Sequence, residues 1–242
     1  MKFKHKSWEN FLELRKDIIN VVAIENVSEL WRTCQELQNQ SDGGEGGFHL
    51  FDDFFKEYNI IKEMLIELNM TNIVINNKRL INALLKKCTA EIVGYKYQEI
   101  FLELTNQFHE LCKNISEDIG LGCRTELNPE IDPQVIFKLF DIKFSEDQTG
   151  LLERLIDKIN LSIDFLNISI FIYLFPSKFL NLDEIRQLHE HCSANACSLI
   201  FIEDCTSPLK LSNLPYQAIV IDEDGFELIE NINEEFDTLQ IP

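Results

Sequence analysis

The sequence predicts an α/β fold, and three short apolar runs predict it. They are Ile18–Ile24 (IINVVAI), Ser169–Leu174 (SIFIYL) and Ser198–Ile202 (SLIFI). Each is rich in β-branched or aromatic residues and too short for a buried helix, so each reads as a strand covered on both faces. A helical pattern follows the first run, and the last two runs bracket another. Between the first and second lie more than a hundred residues that read mostly as helix. The expected organisation is a sheet-bearing head, residues 1–60 and 161–242, interrupted by a helical leg, residues 61–160.

The elements follow in chain order. Phe3, Ser7–Phe11 and Leu14 read as an edge strand or an irregular lead-in to the strand at Ile18–Ile24. Asn26 then reads as an N-cap with Glu29 as its capping-box partner. The helix from about Val27 to Leu37 carries Val27, Leu30, Trp31 and Cys34 at helical spacing. Ser41–Gly47 (SDGGEGG) is a loop by composition. Phe48–Phe51 reads as a short strand, and Lys62–Leu68 and Asn72–Ile75 as strands or the entry to the leg.

From about Asn77 to Lys113 the pattern is helical, with Gly94 marking a break. Asp132-Pro133 reads as N-cap and first residue of a short helix ending near Phe140. Ser145 with Gln148 reads as a capping box for a helix with Leu152, Leu155, Ile156 and Ile159 inward. Asn181 with Glu184 reads as another, for a helix lined by Ile185, Leu188 and Cys192. Asp224-Gly225, between Ala218–Asp222 and Phe226–Ile229, is a hairpin signal. Asn233–Pro242 reads as a polar tail.

Composition narrows the function. The 45% hydrophobic content supports a real core, and no run of about 18 apolar residues exists to span a membrane. The start, MKFKHKSWENF, has no apolar h-region. Seven cysteines at scattered spacing, without an export signal, are expected as free thiols in a reducing cytoplasm. The net charge of −19 argues against nucleic acid until its distribution is read. Residues 161–242 carry 3 basic and 14 acidic groups, net −11, whereas Thr71–Gln98 carries Lys78, Arg79, Lys86, Lys87 and Lys96 against Glu91 alone. An acidic protein can still present one cationic face.

Several patterns resemble sites. A phosphate-cradling loop needs glycines and a Lys-Ser/Thr pair after a strand. Gly43, Gly44, Gly46 and Gly47 lack that pair and precede a strand, and the turn Glu25-Asn26-Val27-Ser28 has no glycine. His189, His191, Cys192 and Cys197 suggest zinc, but residues two apart on a helix point about 200° from each other. Core thiols and surface histidines are the simpler reading. Glu203-Asp204, at a strand end, could hold Mg2+ for a metal-dependent nuclease or a nucleotide-binding phosphotransferase. Asp222–Asp224 is more simply a hairpin tip. Glu126–Asp132 (ELNPEID) offers three carboxylates on a turn, which suits Ca2+, although solvated loop charge is the default. Arg79 and Lys86 lie two helical turns apart with Asn82 between them, a stripe able to follow a phosphate backbone, or an ordinary solvated face.

Three stretches carry a family resemblance: VVAIENVSELWRTCQEL at the start, ELNMTNIVINNKRLINALLKK at the leg entry, and SIFIYLFPSKFLNLDEIRQLHEHCSANACSLIFIED near the end. The chain resembles the small adaptation proteins found with type II-A CRISPR systems, which form a ring around double-stranded DNA. The resemblance implies a degenerate P-loop-kinase-like head with a long helical leg inserted between head strands, and no catalytic activity. It implies a homotetramer that binds linear duplex DNA by its ends without strong sequence preference, with Ca2+ supporting the ring. It also implies a role in capturing new spacers, beside the integrase proteins and the RNA-guided effector nuclease. Carried onto this chain, Lys78, Arg79, Lys86 and Lys87, with Asn82 on the same face, become DNA-binding candidates. Glu126, Glu130 and Asp132 become candidate Ca2+ ligands. Gly120–Arg124 departs from the more acidic residues of some relatives, which implies calcium held more weakly or differently.

Overall fold

A computed structural model describes residues 1–94, 96–120, 131–146, 150–204 and 214–232. Among them are two sheets and eight helices. The chain divides into two compact units, Met1–Ile75 with Gln148–Pro242, and Asn76–Asp147.

The first unit is organised by a six-stranded sheet. Its strands are β3 (Ile19–Ile24), β6 (Met64–Glu67), β7 (Ile170–Leu174), β8 (Ser198–Glu203), β9 (Tyr216–Ile221) and β10 (Glu227–Ile232), in the order β10-β9-β3-β8-β7-β6. All neighbours run parallel except the β9–β10 hairpin. Both faces of the sheet are apolar, which is why these strands read as continuous hydrophobic runs. Ile19, Val21, Ala23, Phe171, Tyr173, Leu199 and Phe201 face one core. Val22, Ile24, Ile170, Ile172, Ile200 and Ile202 face the other. Each such side chain contributes roughly 1.5–3 kcal/mol when fully buried.

The first core is closed by α6 (Leu151–Leu166), through Leu152, Leu155 and Ile159, and by α8 (Leu182–Ala194), through Ile185, Leu188 and Cys192, with the one-turn α7 (Pro176–Phe179) preceding α8. Asn181 caps α8 with a full capping box. Its Oδ1 accepts from Glu184 N at 3.0 Å, and Glu184 Oε2 accepts from Asn181 N at 2.7 Å. α6 ends on Asn167 in the left-handed region, φ 55°, a conformation asparagine tolerates.

The second core is closed by α1 (Val27–Ser41) and by a second, antiparallel sheet. That sheet comprises β1 (Lys2–His5), β2 (Leu12–Glu13), β4 (Phe48–Phe51) and β5 (Glu57–Tyr58), in the order β2-β1-β4-β5. The one-turn helix α2 (Ile60–Glu63) leads from it into β6. Phe3 and Phe48 stack at 5.3 Å between ring centroids, and Trp8 packs edge-on against both. His5 is buried among these rings, bonded to Ser7 Oγ at 2.6 Å and Glu36 Oε2 at 2.9 Å. A β-carbon on Gly47 would fall 2.1 Å from His5 Nε2, so the last glycine of the Ser41–Gly47 loop makes room for that bond.

The second unit holds α3 (Lys78–Val93), α4 (Gln98–Asp118) and α5 (Pro133–Leu139). Gly94 caps the C-terminus of α3, its N–H donating to Ala90 O, so the expected break falls there. Asp132 and Pro133 open α5 as expected, with Gln134 N donating to Asp132 Oδ1 at 2.9 Å. One residue clasps the two ends of the unit. Asn76 Nδ2 donates to Phe144 O at 3.0 Å and Glu146 Oε1 at 2.7 Å, and Asn76 Oδ1 accepts from Phe144 N at 2.9 Å.

Four expectations are corrected, and one pair of alternatives is resolved. The Lys62–Leu68 alternative resolves as β6, a strand paired with β7, and Asn72–Ile75 is irregular. Met64–Glu67 and α6, placed in the leg from sequence, pack with the first unit. Asn26 caps α1 through Ser28 N and Glu29 N, but Glu29 turns to Arg32, so the capping box is half formed. On α1, Val27 and Trp31 are exposed while Thr33 and Leu37 are buried. The helix offers two stripes at helical spacing, and the one that includes Leu37 faces the sheet. Gly150, not Ser145, is the N-cap of α6; Gln148 lies outside the described residues. The tail at Asn233–Pro242 also lies outside them.

One ion pair tests how the sheet holds its end strand. Lys158 of α6, 5% exposed, is bonded to Glu67 of β6. Lys158→Met leaves Glu67 half-enclosed without its cation and is expected to destabilise the protein by about 3 kcal/mol. Lys158→Met with Glu67→Leu removes both charges and should recover all but about 1 kcal/mol. Urea denaturation of the two variants measures this, and simple additivity of the losses would contradict it.

Candidate nucleic-acid interface

The basic residues singled out from sequence all sit on α3. At 100° per residue, Arg79, Asn82 and Lys86 fall within about 60° of one another, flanked by Lys78 and Lys87. Leu84, Leu85, Cys88 and Ile92 point the other way. Lys78, Asn82, Lys86 and Lys87 are exposed and Arg79 is half-buried. The one carboxylate of the helix, Glu91, lies about 120° around from Arg79, off the centre of the stripe.

The stripe does not serve the helix that carries it. The first turn of α3 begins with Lys78 and Arg79 and has no acidic residue. Cations at a helix N-terminus oppose the macrodipole, at about 0.3–1 kcal/mol each. Asn77 offsets part of this by capping, its Oδ1 accepting from Arg79 N and Leu80 N, both at 3.0 Å. Farther along, Lys96 stands 4.9 Å over the Tyr97 ring, and that hydroxyl's hydrogen bond raises the Lys96 pKa above its ordinary value. It stays charged at any physiological pH.

Of the three candidate calcium ligands, Glu126 and Glu130 lie outside the described residues. Asp132 is exposed, and its Oδ1 is engaged as the cap of α5. The acidic strand end has internal work. Glu203 is 0% exposed, its Oε1 accepting from Ser177 N at 3.0 Å, and Asp204 is paired with Lys178. The His-Cys group does not converge. His191 Nε2 bonds Asn160 Oδ1 at 2.8 Å, while Cys192 is in the core, its thiol pushed far up by burial. Among the described residues no three His, Cys, Asp or Glu side chains form a metal-binding group.

Sequence reasoning missed two features of the second unit. One is the Asn76 clasp, for which the only signal is the pair Asn76-Asn77. The other is the amount of apolar surface left on α4, where Ile100, Leu102, Phe108, Leu111 and Ile115 are all exposed and Thr105 alone is buried. The apolar spacing was legible in the sequence, but which residues the chain itself covers was not.

With the geometry in hand, likeness to known proteins can be placed. No curated protein matches the chain. Among solved structures, the crystal structure of Stu0660 of Streptococcus thermophilus aligns with a TM-score of 0.60 at 14% identity, covering 96% of this chain and 76% of that one. At that identity the likeness concerns the fold. The dimeric structure of MJ0796, a bacterial ABC transporter cassette, aligns at a TM-score of 0.44 and 10% identity, covering 96% of this chain and 98% of that one, which is too distant to carry an argument. A family model described as CRISPR-associated protein (Cas_Csn2) matches residues 40–225, from the end of α1 through the β9–β10 turn. That match spans most of both units and agrees with the resemblance read from the sequence: the chain belongs to the CRISPR-associated Csn2 family.

Proposed function

We propose that this protein binds linear double-stranded DNA by its ends, without sequence preference, as a homotetrameric ring that supports spacer acquisition in CRISPR adaptive immunity. The observation that carries the reading is the exposed cationic stripe of α3 on a chain of net charge −19. A stripe of lysines and one arginine, without a base-reading pattern, suits phosphate contacts. The apolar surface of α4 supports assembly, since a single chain rarely leaves so much exposed and a second copy would cover it. The integrase proteins and the RNA-guided effector nuclease are the partners the family implies, and the cytoplasm is the compartment.

The head is read as a P-loop-kinase-like sheet without phosphate chemistry. After β3 there is no glycine, and the α1 N–H groups that would meet a phosphate are taken by Asn26. The rival nuclease or phosphotransferase reading rests on Glu203 and Asp204, and both are engaged within the fold. Ca2+ fits the all-carboxylate set Glu126, Glu130 and Asp132, and the α5 cap bond of Asp132 uses only Oδ1. When bound, the ion neutralises carboxylate charge that would otherwise repel DNA.

Lys86→Glu with Lys87→Glu should leave the oligomer intact and weaken binding to linear duplex at least tenfold, on the order expected for reversing two phosphate contacts. The slope of log affinity against log salt should also shrink by about two. Mobility shift across a salt series, with sedimentation for the oligomer, reads both; unchanged affinity would remove α3 from the interface. A covalently closed circle of the same sequence should not bind, and EGTA should weaken binding to the linear form. Equal binding to circle and linear DNA would replace end loading by side-on contact.

A further inference from the structure

Glu36, His5 and Ser7 form a hydrogen-bonded chain that neither the α3 stripe nor the pairing of the sheets uses. His5 ends β1. Its Nε2 is 2.9 Å from Glu36 Oε2 on α1, and its Nδ1 is 2.6 Å from Ser7 Oγ. Two partners of fixed polarity place the ring proton. The His5 bond holds the Glu36 carboxyl below its ordinary value, and an ionised carboxylate only accepts, so Nε2 carries the hydrogen. A backbone N–H only donates, and Ser7 N donates to Nδ1 at 3.3 Å, so Nδ1 holds the lone pair. The Ser7 hydroxyl therefore donates to Nδ1.

A serine beside a histidine is ordinarily a hydrogen-bonded turn. The third member and the direction of the bonds separate this case: carboxylate, imidazole and hydroxyl stand in the order that activates a nucleophile. The base is held rigidly. His5 is 1% exposed, with its ring 4.7 Å from that of Phe48 and 5.8 Å from that of Trp8. Gly47 leaves room on the Nε2 side for the Glu36 bond. Lys6 Nζ lies 3.5 Å from the same Glu36 oxygen and favours its ionised form. The hydroxyl-bearing residue is the accessible member, since Ser7 is exposed.

Ser7 also lines a cleft of about 450 Å3 at the carboxyl ends of β3 and β9. Glu29, Asp222, Glu223, Asp224 and Glu227 line it too and repel an anionic substrate. Arg32 is the one cation among the lining residues. It gives one guanidinium nitrogen to Glu29, which leaves N–H donors in the cleft for a substrate oxygen. We infer that Ser7 is an acyl-acceptor site, which takes the acyl group of an uncharged ester or thioester. Ser7 Oγ attacks the carbonyl carbon as its proton passes to His5 Nδ1, and Glu36 stabilises the imidazolium that forms. The bond from carbon to the leaving oxygen or sulfur then breaks, and the proton on Nδ1 goes to that leaving group. The products are an O-acyl serine and an alcohol or thiol.

The test treats the full chain with p-nitrophenyl acetate, follows p-nitrophenolate release, and maps the acetyl group by mass spectrometry after quenching and trypsin. Cleavage after Lys6 and Arg15 gives the peptide SWENFLELR, in which Ser7 is the sole hydroxyl and no lysine occurs. The expected result is acetyl on that peptide, absent from the urea-unfolded chain and formed more slowly in D2O, as when a proton moves in the slow step. Glu36→Gln should slow this labelling roughly a hundredfold or more, the scale for losing a working general base, with the thermal melt showing the variant folded. Ser7→Ala should lose the label and keep DNA binding, so the inference stands or falls apart from the DNA reading. Acetyl on lysines or the α-amine only, equal labelling of Ser7 in the unfolded chain, or wild-type labelling in folded Glu36→Gln would each overturn it.

Discussion

The amide of Asn20 sets the alignment on which the rest of the molecule depends. Asn20 is the second residue of β3, 0% exposed, on a face where its strand neighbours are aliphatic. Its Nδ2 donates to Leu199 O on β8 at 2.7 Å and to Arg15 O at 2.9 Å. Its Oδ1 accepts from Arg15 N at 3.1 Å and from Gln217 Nε2 on β9 at 2.6 Å. One side chain thus ties both strands that flank β3 and the chain that enters it. Parallel strands apolar on both faces have little else to choose between neighbouring registers. A slipped register would leave this amide buried and unsatisfied, at a cost of about 1–3 kcal/mol. The strand ends follow from that register. Ile24 pairs with Ile221, which sets the Glu25–Ser28 turn beside the β9–β10 turn, and Ala23 pairs with Glu203.

Charge is divided with a similar economy. The second half of the head holds most of the negative excess, while α3 concentrates cations in a first turn where the helix dipole disfavours them. The arrangement costs the helix stability. Acidic surface repels a polyanion and a cationic stripe attracts one. The same reasoning makes Glu29 and Asp222–Asp224 unsuited to nucleotides.

The sheet was legible because two-sided burial writes itself as uninterrupted β-branched and aromatic runs. Ile18–Ile24, Ser169–Leu174 and Ser198–Ile202 became β3, β7 and β8 with ends shifted by a residue. Local chemistry was equally readable: Asn26, Asn181 and Asp132 all cap the helices assigned to them. Two local readings failed, the Ser145 cap and the Glu29 half of the Asn26 box; the others that failed depend on long-range choice. β6 has four residues and is recognisable only beside β7. Helix α1 has two stripes of helical spacing, and the sheet selected the one without Trp31. Within the candidate interface the basic stripe was visible from its seven-residue spacing. The carboxylates gathered at the ends of β3 and β9 were not, because Glu29 and Glu223 are distant in sequence and meet only when those strands align.

The Asn76 clasp bears on the order in which the chain folds. Strands β6 and β7 are neighbours, yet residues 68–169 lie between them. Closing so long a loop in an open chain carries an entropic penalty and slows the search for the pairing. The Asn76 bonds to Phe144 and Glu146 bring the ends of most of that excursion together. Each of helices α3 to α5 can start locally, and the packing of α3 on α5 then joins stretches that residues 94–132 separate. Once they are clasped, the distance that β6 and β7 must close is a short tether on each side of the excursion. A large insertion can then be carried between two adjacent strands, because the loop left to close is far shorter than the sequence separation of β6 and β7.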